Sequence, residues 1–513
     1  MKLLIPDIKV TERGLESRVF FTSEIDEKPN DMVTAEELLG FTMYKEEYSF
    51  IILVSFSICK PSLIWCLLNN PEFHQQRDPS DKTMSWNVYG DYMEIYRTKK
   101  EKITICSYEK KFLQDYTDAE TAKRLMLTDT YFKPTCTQTA KAEFMECVTG
   151  CKNEFINRYK FDKIFPQPEE EEFITWKKTK ESVKAFMYLK KAGNYKDVYS
   201  YDIRASFPSE LYNSLFPQGK GTRGLIEVPV KHWYIAKIRV YRCIPIVYDF
   251  FGLFDKFIEN QRQPFNTYLT KDMLECLEEF YDVEYAIQFK YSYKMQKSIF
   301  DKFIEYNIYT PDKPIRKYNK AKNNTLIGSF GANDQYPVYE YMIGGDKKNR
   351  VNATITYETK DKKAFYPLYL YVNGSAKVKI CRLLQSNWEH IIYANTDGFV
   401  SDAPIEMDLR FNSRYSDLVG KVELRQYYLE FAVKEISNYS AIFANEDGEI
   451  MQDIRLSGRR IMEPPTHQQF IDGGFETLLL QQSDYGFIKP VVFVEQSLKY
   501  YQLIEERDRN GRK

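Results

Sequence analysis

With 513 residues, 43% of them hydrophobic and 28% charged, the chain has the makeup of an ordinary globular protein and is too long for one core. Its 72 basic and 73 acidic residues leave a net charge of -1, so no global basic field marks a polyanionic partner. Any nucleic-acid contact has to come from local patches. The longest apolar tract, Phe50 to Cys59, stops at Lys60 and Pro61, well short of the ~20 residues of a membrane helix, so no membrane association is expected. The first residues carry too short an apolar run for a signal peptide. Nine cysteines without a C-x-x-C pair point to a reducing cytoplasm, and Cys147 and Cys151, at helical spacing without a nearby His, read as unpaired thiols rather than a metal site. Aromatics reach 16%, which suits cores first and base-stacking surfaces second.

In chain order, "RVFFTSEI", "FIILVSFSI" and "KITICSY" read as strands, and "DAETAKRLMLTD" and "AEFMECVTGCKNEFINRY" as helices, which is an α/β or α+β mixture. "FPQPEEEEF", Phe165 to Phe173, has two prolines and four consecutive glutamates and reads as a linker that resists packing. "VYSYDIRASFP" then reads as a strand entering a turn, "WYIAKIRVYRCIPIVY" as one or two strands, and "TKDMLECLEEFY" as an amphipathic helix opening at Thr270. "YDVEYAIQFKYSYKM" alternates as a strand does. A helical region from "KSIFDKFIEY" to "NNTLIGSFG" is interrupted at Pro311 and Pro314. "WEHIIYANTDGFVSD" is a strand, a polar turn and a second strand.

Three polar clusters interrupt apolar patterns: Asp202 in "VYSYDIRASFP", the run from Lys313 to Asn324, and Asp397 in "IIYANTDGFV". Singly they read as a strand-end Asp, a solvated helix face and a hairpin turn. Together they suit phosphoryl transfer from a nucleotide, which needs carboxylate oxygens for hard divalent cations and fixed positive charge on the triphosphate. Arg316, Lys320 and Asn324 recur every four residues and share one helix face. Lys317 and Lys322 are left for solvent or template backbone. Gly328 and Gly331 allow close approach of a backbone or base pair.

These residues also resemble motifs of the family B DNA polymerases. "DIRASFPS" is similar to motif A, D-x-x-S-L-Y-P-S; "KAKNNTLIGSFGAN" to motif B, K-x-x-x-N-S-x-Y-G; and "YANTDG" to motif C, Y-x-D-T-D-S. Their order and spacing, over roughly residues 185 to 460, resemble the protein-primed branch of phages and linear plasmids. The resemblance implies that Asp202 and Asp397, helped by the Ile203 carbonyl, hold two Mg²⁺ ions, which Mn²⁺ can replace. It implies that Lys320 neutralises the incoming triphosphate, with Arg316, Asn324 and Gly328 beside the nucleotide, and that Phe207 stacks under the sugar and excludes a 2′-OH. Contacts to DNA are implied at Gly193, in a loose Y-x-G-G motif, and at Tyr393, Thr396 and Tyr439. Lys499 and Tyr501 repeat the K-x-Y pattern later.

The departures are specific. Asn395 replaces the first Asp of motif C, Gly398 its Ser, and Ser437 the Lys of K-x-Y. Ile327 replaces the Tyr of motif B and is expected to remove an aromatic wall from the nucleotide pocket. An exonuclease domain usually precedes such a polymerase, and here its carboxylate motifs are poor. Glu24 and Asp26 stand in reversed order, and His74 follows Asn70 and Phe73 where an Asp is required. "YPVYEYMIGGDKKNRVNATITYET" reads as a hairpin insertion that parts the duplex, or equally as an ordinary hairpin of the palm sheet.

The expected fold is α+β, a right-hand polymerase behind an α/β amino-terminal domain, exonuclease-like or a platform for DNA or a priming protein. The expected divisions are residues 1–165, a linker 166–184, palm 185–300, fingers 301–332, palm with hairpin 333–430, and thumb 431–513. The expected activity is template-directed addition of dNTPs to a primer 3′-OH or a protein hydroxyl, by a cytoplasmic monomer, without 3′–5′ proofreading. Two alternatives stay open: a template-independent or unusual-primer enzyme, and an inactive polymerase fold serving as a DNA-binding scaffold.

Overall fold

The computed structural model describes residues 154–308, 313–343, 351–360, 362–405, 419–456, 459–461, 464–482 and 488–511. Before residue 151 it describes 3–11, 14–22, 49–54, 56–70, 73–75, 84–89, 92–96, 102–107, 131 and 135–150. The early strands form a sheet in the order Gly14–Thr22, Leu3–Thr11, Ser49–Val54, Lys102–Ser107, Tyr92–Tyr96, Met84–Tyr89, Phe73–Gln75, with parallel and antiparallel pairs mixed. Parallel neighbours need a crossover, and the helix Phe56–Asn69 packs Leu63, Ile64 and Leu67 against Trp86, Ile95, Ile103 and Ile105. This is the α/β amino-terminal unit that the composition of the first third predicts.

A second sheet of seven strands is antiparallel throughout. Its order is Ile450–Leu456, Asn438–Ala444, Val422–Glu435, Gly193–Ile203, Gly398–Ser401, Ile391–Asn395, Met187–Leu189. Along Gly193–Ile203 the alternation sends Tyr201 and Ile203 into the large central core and Val198 to a smaller core on the opposite face. Asp202 falls on the Val198 side of that alternation. The sheet carries the chain past residue 430 without a break, so a thumb starting at 431 cuts a strand. Hairpin pairing extends the sheet to Leu456, and a small sheet, Arg459–Ile461, Glu476–Gln482 and Ile488–Val494, follows with the helix Leu498–Gly511.

The glutamate run is not a linker either. Glu170–Lys180 is a helix whose Phe173 and Trp176 are buried in the central core. Three of the glutamates occupy its first turn, where the helix dipole favours negative charge, and Glu172 accepts a hydrogen bond from Tyr293 Oη at 2.7 Å. The amphipathic helix expected from Thr270 is two short helices, Lys271–Glu275 and Leu277–Phe280, separated at Cys276.

Gln335–Ile343 and Val351–Thr359 form a two-stranded hairpin outside the seven-stranded sheet, so it is not part of the palm sheet. It rests on the amino-terminal unit. Gln75 donates from Nε2 to Tyr339 O and accepts from Tyr341 N, both at 2.9 Å, and Lys60 Nζ sits 5.0 Å from the Tyr339 ring centroid.

Candidate active site

The strand carrying Asp202 ends where it does because the next residues turn. Ala205 has φ 48°, a left-handed conformation uncommon for a residue with a Cβ, and Ser206–Ser209 form one helical turn with Pro208 inside it. Behind that turn lies a buried polar network. Ser375 Oγ donates to Glu210 Oε2 at 2.6 Å, Lys379 Nζ lies 3.6 Å from Glu210 Oε1, and Lys379 donates to Ser209 Oγ at 3.3 Å. With its members satisfied, such a network fixes a unique backbone course, here the turn that follows Asp202.

Asp397 comes from the hairpin beside it. Asn395 pairs with Gly398 and Gly398 with Asp202, so the Thr396–Asp397 turn hangs next to the end of the Asp202 strand. Ile203 N donates to Asp397 O at 3.1 Å, which ties the two motifs together through the backbone. A Cβ on Gly398 would stand 3.6 Å from Asp202 Oδ1, ordinary contact, so the Gly in place of Ser is not sterically required. Thr396 has φ 65°, held by its N–H on Phe186 O at 2.9 Å and its hydroxyl on Asn395 Oδ1 at 3.2 Å. Strain of this kind on a β-branched residue marks a turn whose surroundings over-determine it.

Two of the sequence departures meet here. Asn395 donates from Nδ2 to Ser437 Oγ at 2.6 Å and to Tyr393 Oη at 3.3 Å, and Ser437 N donates to Tyr393 Oη at 3.1 Å. Where the resembled motifs place an Asp and a Lys, this chain places an amide and a hydroxyl that hydrogen-bond each other. The pair is neutral and ties the turn to the Val422–Glu435/Asn438–Ala444 hairpin.

Lys320 arrives from the helix Lys313–Ser329. Arg316, Lys320, Asn324 and Gly328 are all exposed along it, one stripe four residues apart, as expected. Lys322 corrects an expectation: it is buried and paired with Glu143 Oε2 at 2.6 Å, on the helix Cys136–Thr149. Helical rotation carries it inward, and the pairing acid lies 179 residues away in sequence, outside any local pattern. The Lys317 side chain lies outside the described residues. Ile327 is also buried in the central core, so it removes no wall from the cleft.

The cleft that results is lined by Asp202, Asp397, Lys320, Tyr393, Tyr428, Tyr439, Arg425 and Arg455, among others. Burial pushes both carboxyls up. Asp397 is raised to about 6, with the Asp202 charge adding to burial, while Lys320 and Arg425 pull both carboxyls down. Neither carboxylate has an ion pair with a described residue. Two half-buried, desolvated carboxylates with only oxygen donors fit a hard divalent cation, which offsets the desolvation. No group of three His, Cys, Asp or Glu side chains is placed to hold a metal ion among the described residues, so further ligands would have to come from the Ile203 backbone, water and substrate.

Other expected residues lie outside that lining. Phe207 is half-buried against the central core, on the turn just after Asp202, and Gly193 sits at the far end of the same strand. Lys499 and Tyr501 lie on the helix Leu498–Gly511, where Lys434 Nζ stands 5.9 Å from the Tyr501 ring, away from the lining of the carboxylate cleft. Tyr439, by contrast, joins Tyr393 and Phe431 in the aromatic wall of the cleft. Arg425 and Arg455 went unread in the sequence. Arg455 reaches the cleft only because its strand pairs it with Tyr439, and Arg425 only because of a strand irregularity. In the amino-terminal unit His74 is exposed on Phe73–Gln75, and Glu24 and Asp26 lie outside the described residues.

This is the right-hand polymerase fold: an antiparallel sheet bearing the two carboxylates, a helix bearing the lysine, and an α/β unit ahead of them. Among solved structures the chain is similar to Phi29 DNA polymerase complexed with primer-template DNA and incoming nucleotide substrates, with a TM-score of 0.73 and 14% identity over 96% of this chain and 99% of that one. It is similar to Phi29 DNA polymerase complexed with single-stranded DNA at a TM-score of 0.71, 14% identity, and 96% and 100% coverage. An orthorhombic crystal form of that polymerase gives 0.67, with 15% identity over 96% and 100%. No protein-family model and no curated protein matches the chain.

Proposed function

We propose that the chain is a template-directed DNA polymerase that extends a primer 3′-OH, or a hydroxyl of a priming protein, with dNTPs. The observation that carries this is the meeting of Asp202, Asp397 and Lys320 in one cleft of this fold. The attacking hydroxyl gives up its proton to solvent, its oxygen forms a bond to the α-phosphorus of the dNTP, the bond from that phosphorus to the bridging oxygen breaks, and pyrophosphate leaves. Asp202 and Asp397 would hold two Mg²⁺ ions, with Mn²⁺ able to replace them, and these supply charge neutralisation at the reacting oxygens. Lys320 sets a fixed cation toward the departing phosphates. Phe207 presents a ring beneath the deoxyribose and collides with a 2′-OH. The neighbours' complexes with primer-template DNA and nucleotides support DNA and dNTPs as substrates.

The finer reading is replication of a phage or plasmid genome by a cytoplasmic monomer with a terminal protein as primer, residues 301–332 acting as fingers. It is supported by the motif spacing and by the separate hairpin docked on the amino-terminal unit. Absence of 3′–5′ proofreading is supported by His74 standing where a carboxylate is required. Primer extension by the purified chain, with and without template, tests the whole. Template-dependent incorporation in Mg²⁺ is expected. Incorporation without template favours the unusual-primer enzyme, and DNA binding without incorporation favours the inactive scaffold. Degradation of a labelled single strand in Mg²⁺ without dNTPs would contradict the proofreading statement.

A further inference from the structure

The cleft holds a cation that the motifs leave unexplained. On the strand Val422–Glu435, Leu424 pairs with Tyr201 and Gln426 with Ser200, so Arg425 is the extra residue of a β-bulge beside the end of the Asp202 strand. A bulge bends the strand and re-aims a side chain, and bulges gather next to active sites. Removing it would slip the strand by one residue and turn Tyr428, which lines the cleft, to the other face. The bulge therefore keeps the aromatic wall in place while adding one cation to it.

Arg425 lines the cleft with Asp202, Asp397 and Lys320, and its side chain is exposed. It has no hydrogen bond or ion pair with a described residue. Glu423, two positions earlier on the same strand, pairs instead with Arg204 at 3.3 Å. An arginine held beside two carboxylates, and bonded to neither, keeps all of its donors for something else. Its planar fork matches a phosphate bidentately.

We propose that Arg425 binds a phosphate oxyanion at the carboxylate pair, so that the substrate is gripped from the sheet by Arg425 and from the helix Lys313–Ser329 by Lys320. The inference rests on the polymerase reading for the identity of the substrate, and the phosphate comes either from the incoming triphosphate or from the primer terminus. Arg425 is a binding residue fixed by the sheet, whereas Lys320 rides on a separate element.

The test uses the full chain, Arg425→Gln and Arg425→Lys, with a dideoxy-terminated primer-template so that binding is read without turnover. Two dissociation constants are measured in Mg²⁺, one for the matched dNTP and one for the duplex, with thermal midpoints as a check on folding. Arg425→Gln is expected to weaken one of them by roughly tenfold, the scale of a charge-assisted bidentate contact, and Arg425→Lys to restore part of it. A change confined to the dNTP assigns the triphosphate, and one confined to the duplex assigns the primer. Both constants within twofold of the parent's, in folded Arg425→Gln and Arg425→Lys proteins, overturn the proposal. Arg425-dependent binding by a chain that extends no primer would overturn the polymerase reading and leave this one standing.

Discussion

Two of the places where carboxylates are withdrawn from water handle it in opposite ways. Glu143, on a helix of the amino-terminal part, is buried against Lys322 and also accepts from Asn307 Nδ2 at 2.8 Å. Asp202 and Asp397 have no ion pair among the described residues, and desolvation raises both carboxyls, the Asp202 charge adding to the rise at Asp397. A buried charge without a partner costs several kcal/mol unless it protonates or finds a cation. The first arrangement spends its cation on holding two elements together. The second leaves its carboxylates open to a proton or to a cation from outside, and that difference separates a strut from the proposed metal site.

Substitutions can break the contrast. Asp202→Ala and Asp397→Ala should each lower primer extension by about 10² to 10³-fold or more, the scale of removing one preorganised charge. Their thermal midpoints in metal-free buffer should hold or rise, because the repulsion is gone. A mutant with full synthesis would sink the site assignment. At the strut the outcome reverses. Glu143→Leu or Lys322→Met should cost about 3–5 kcal/mol in urea unfolding, because the surviving charge stays buried after losing this ion pair, and the double mutant should recover most of the loss. Additive losses would mean that the pair is not a unit.

Smaller effects sharpen the picture around the cleft. Lys320 is exposed, so Lys320→Ala should leave stability within about 0.5 kcal/mol while raising KM for dNTPs roughly tenfold, in line with losing one charge-assisted contact. Phe207→Val should admit ribonucleotides, read as the ratio of dNTP to rNTP incorporation, and an unchanged ratio would remove its steric role. The smallest shift is expected at the strained turn. Thr396→Gly should raise the unfolding free energy by about 1 kcal/mol, since glycine accepts the left-handed φ without cost. A loss instead would show that the Thr396 hydroxyl bond to Asn395 outweighs the strain.

The sequence was most legible where function forces a charged residue into an apolar strand. Asp202 and Asp397 interrupt patterns that are otherwise buried, and Arg316, Lys320, Asn324 and Gly328 keep a helical period that could be counted directly. It misleads where charge stands as a sign of exposure. The four glutamates before Phe173 begin a packed helix, because carboxylates suit a helix N-terminus whatever lies behind it. Lys322 reads in the sequence as facing solvent or template backbone because its partner Glu143 is remote in the chain. Asn395 and Ser437, two separate departures in the sequence, became one hydrogen-bonded pair only across the sheet.

The linear order of residues thus determined the alternating strands, the helix stripe, and the two carboxylates and the lysine that line one cleft, since those are local periodicities and local exceptions to them. Tertiary structure decided which acids would be neutralised and which left open, where the palm sheet ends, and that Arg425 faces the cleft at all. Those outcomes depend on strand register, on one extra residue in a ladder, and on partners far apart in sequence, and no local pattern carries that information.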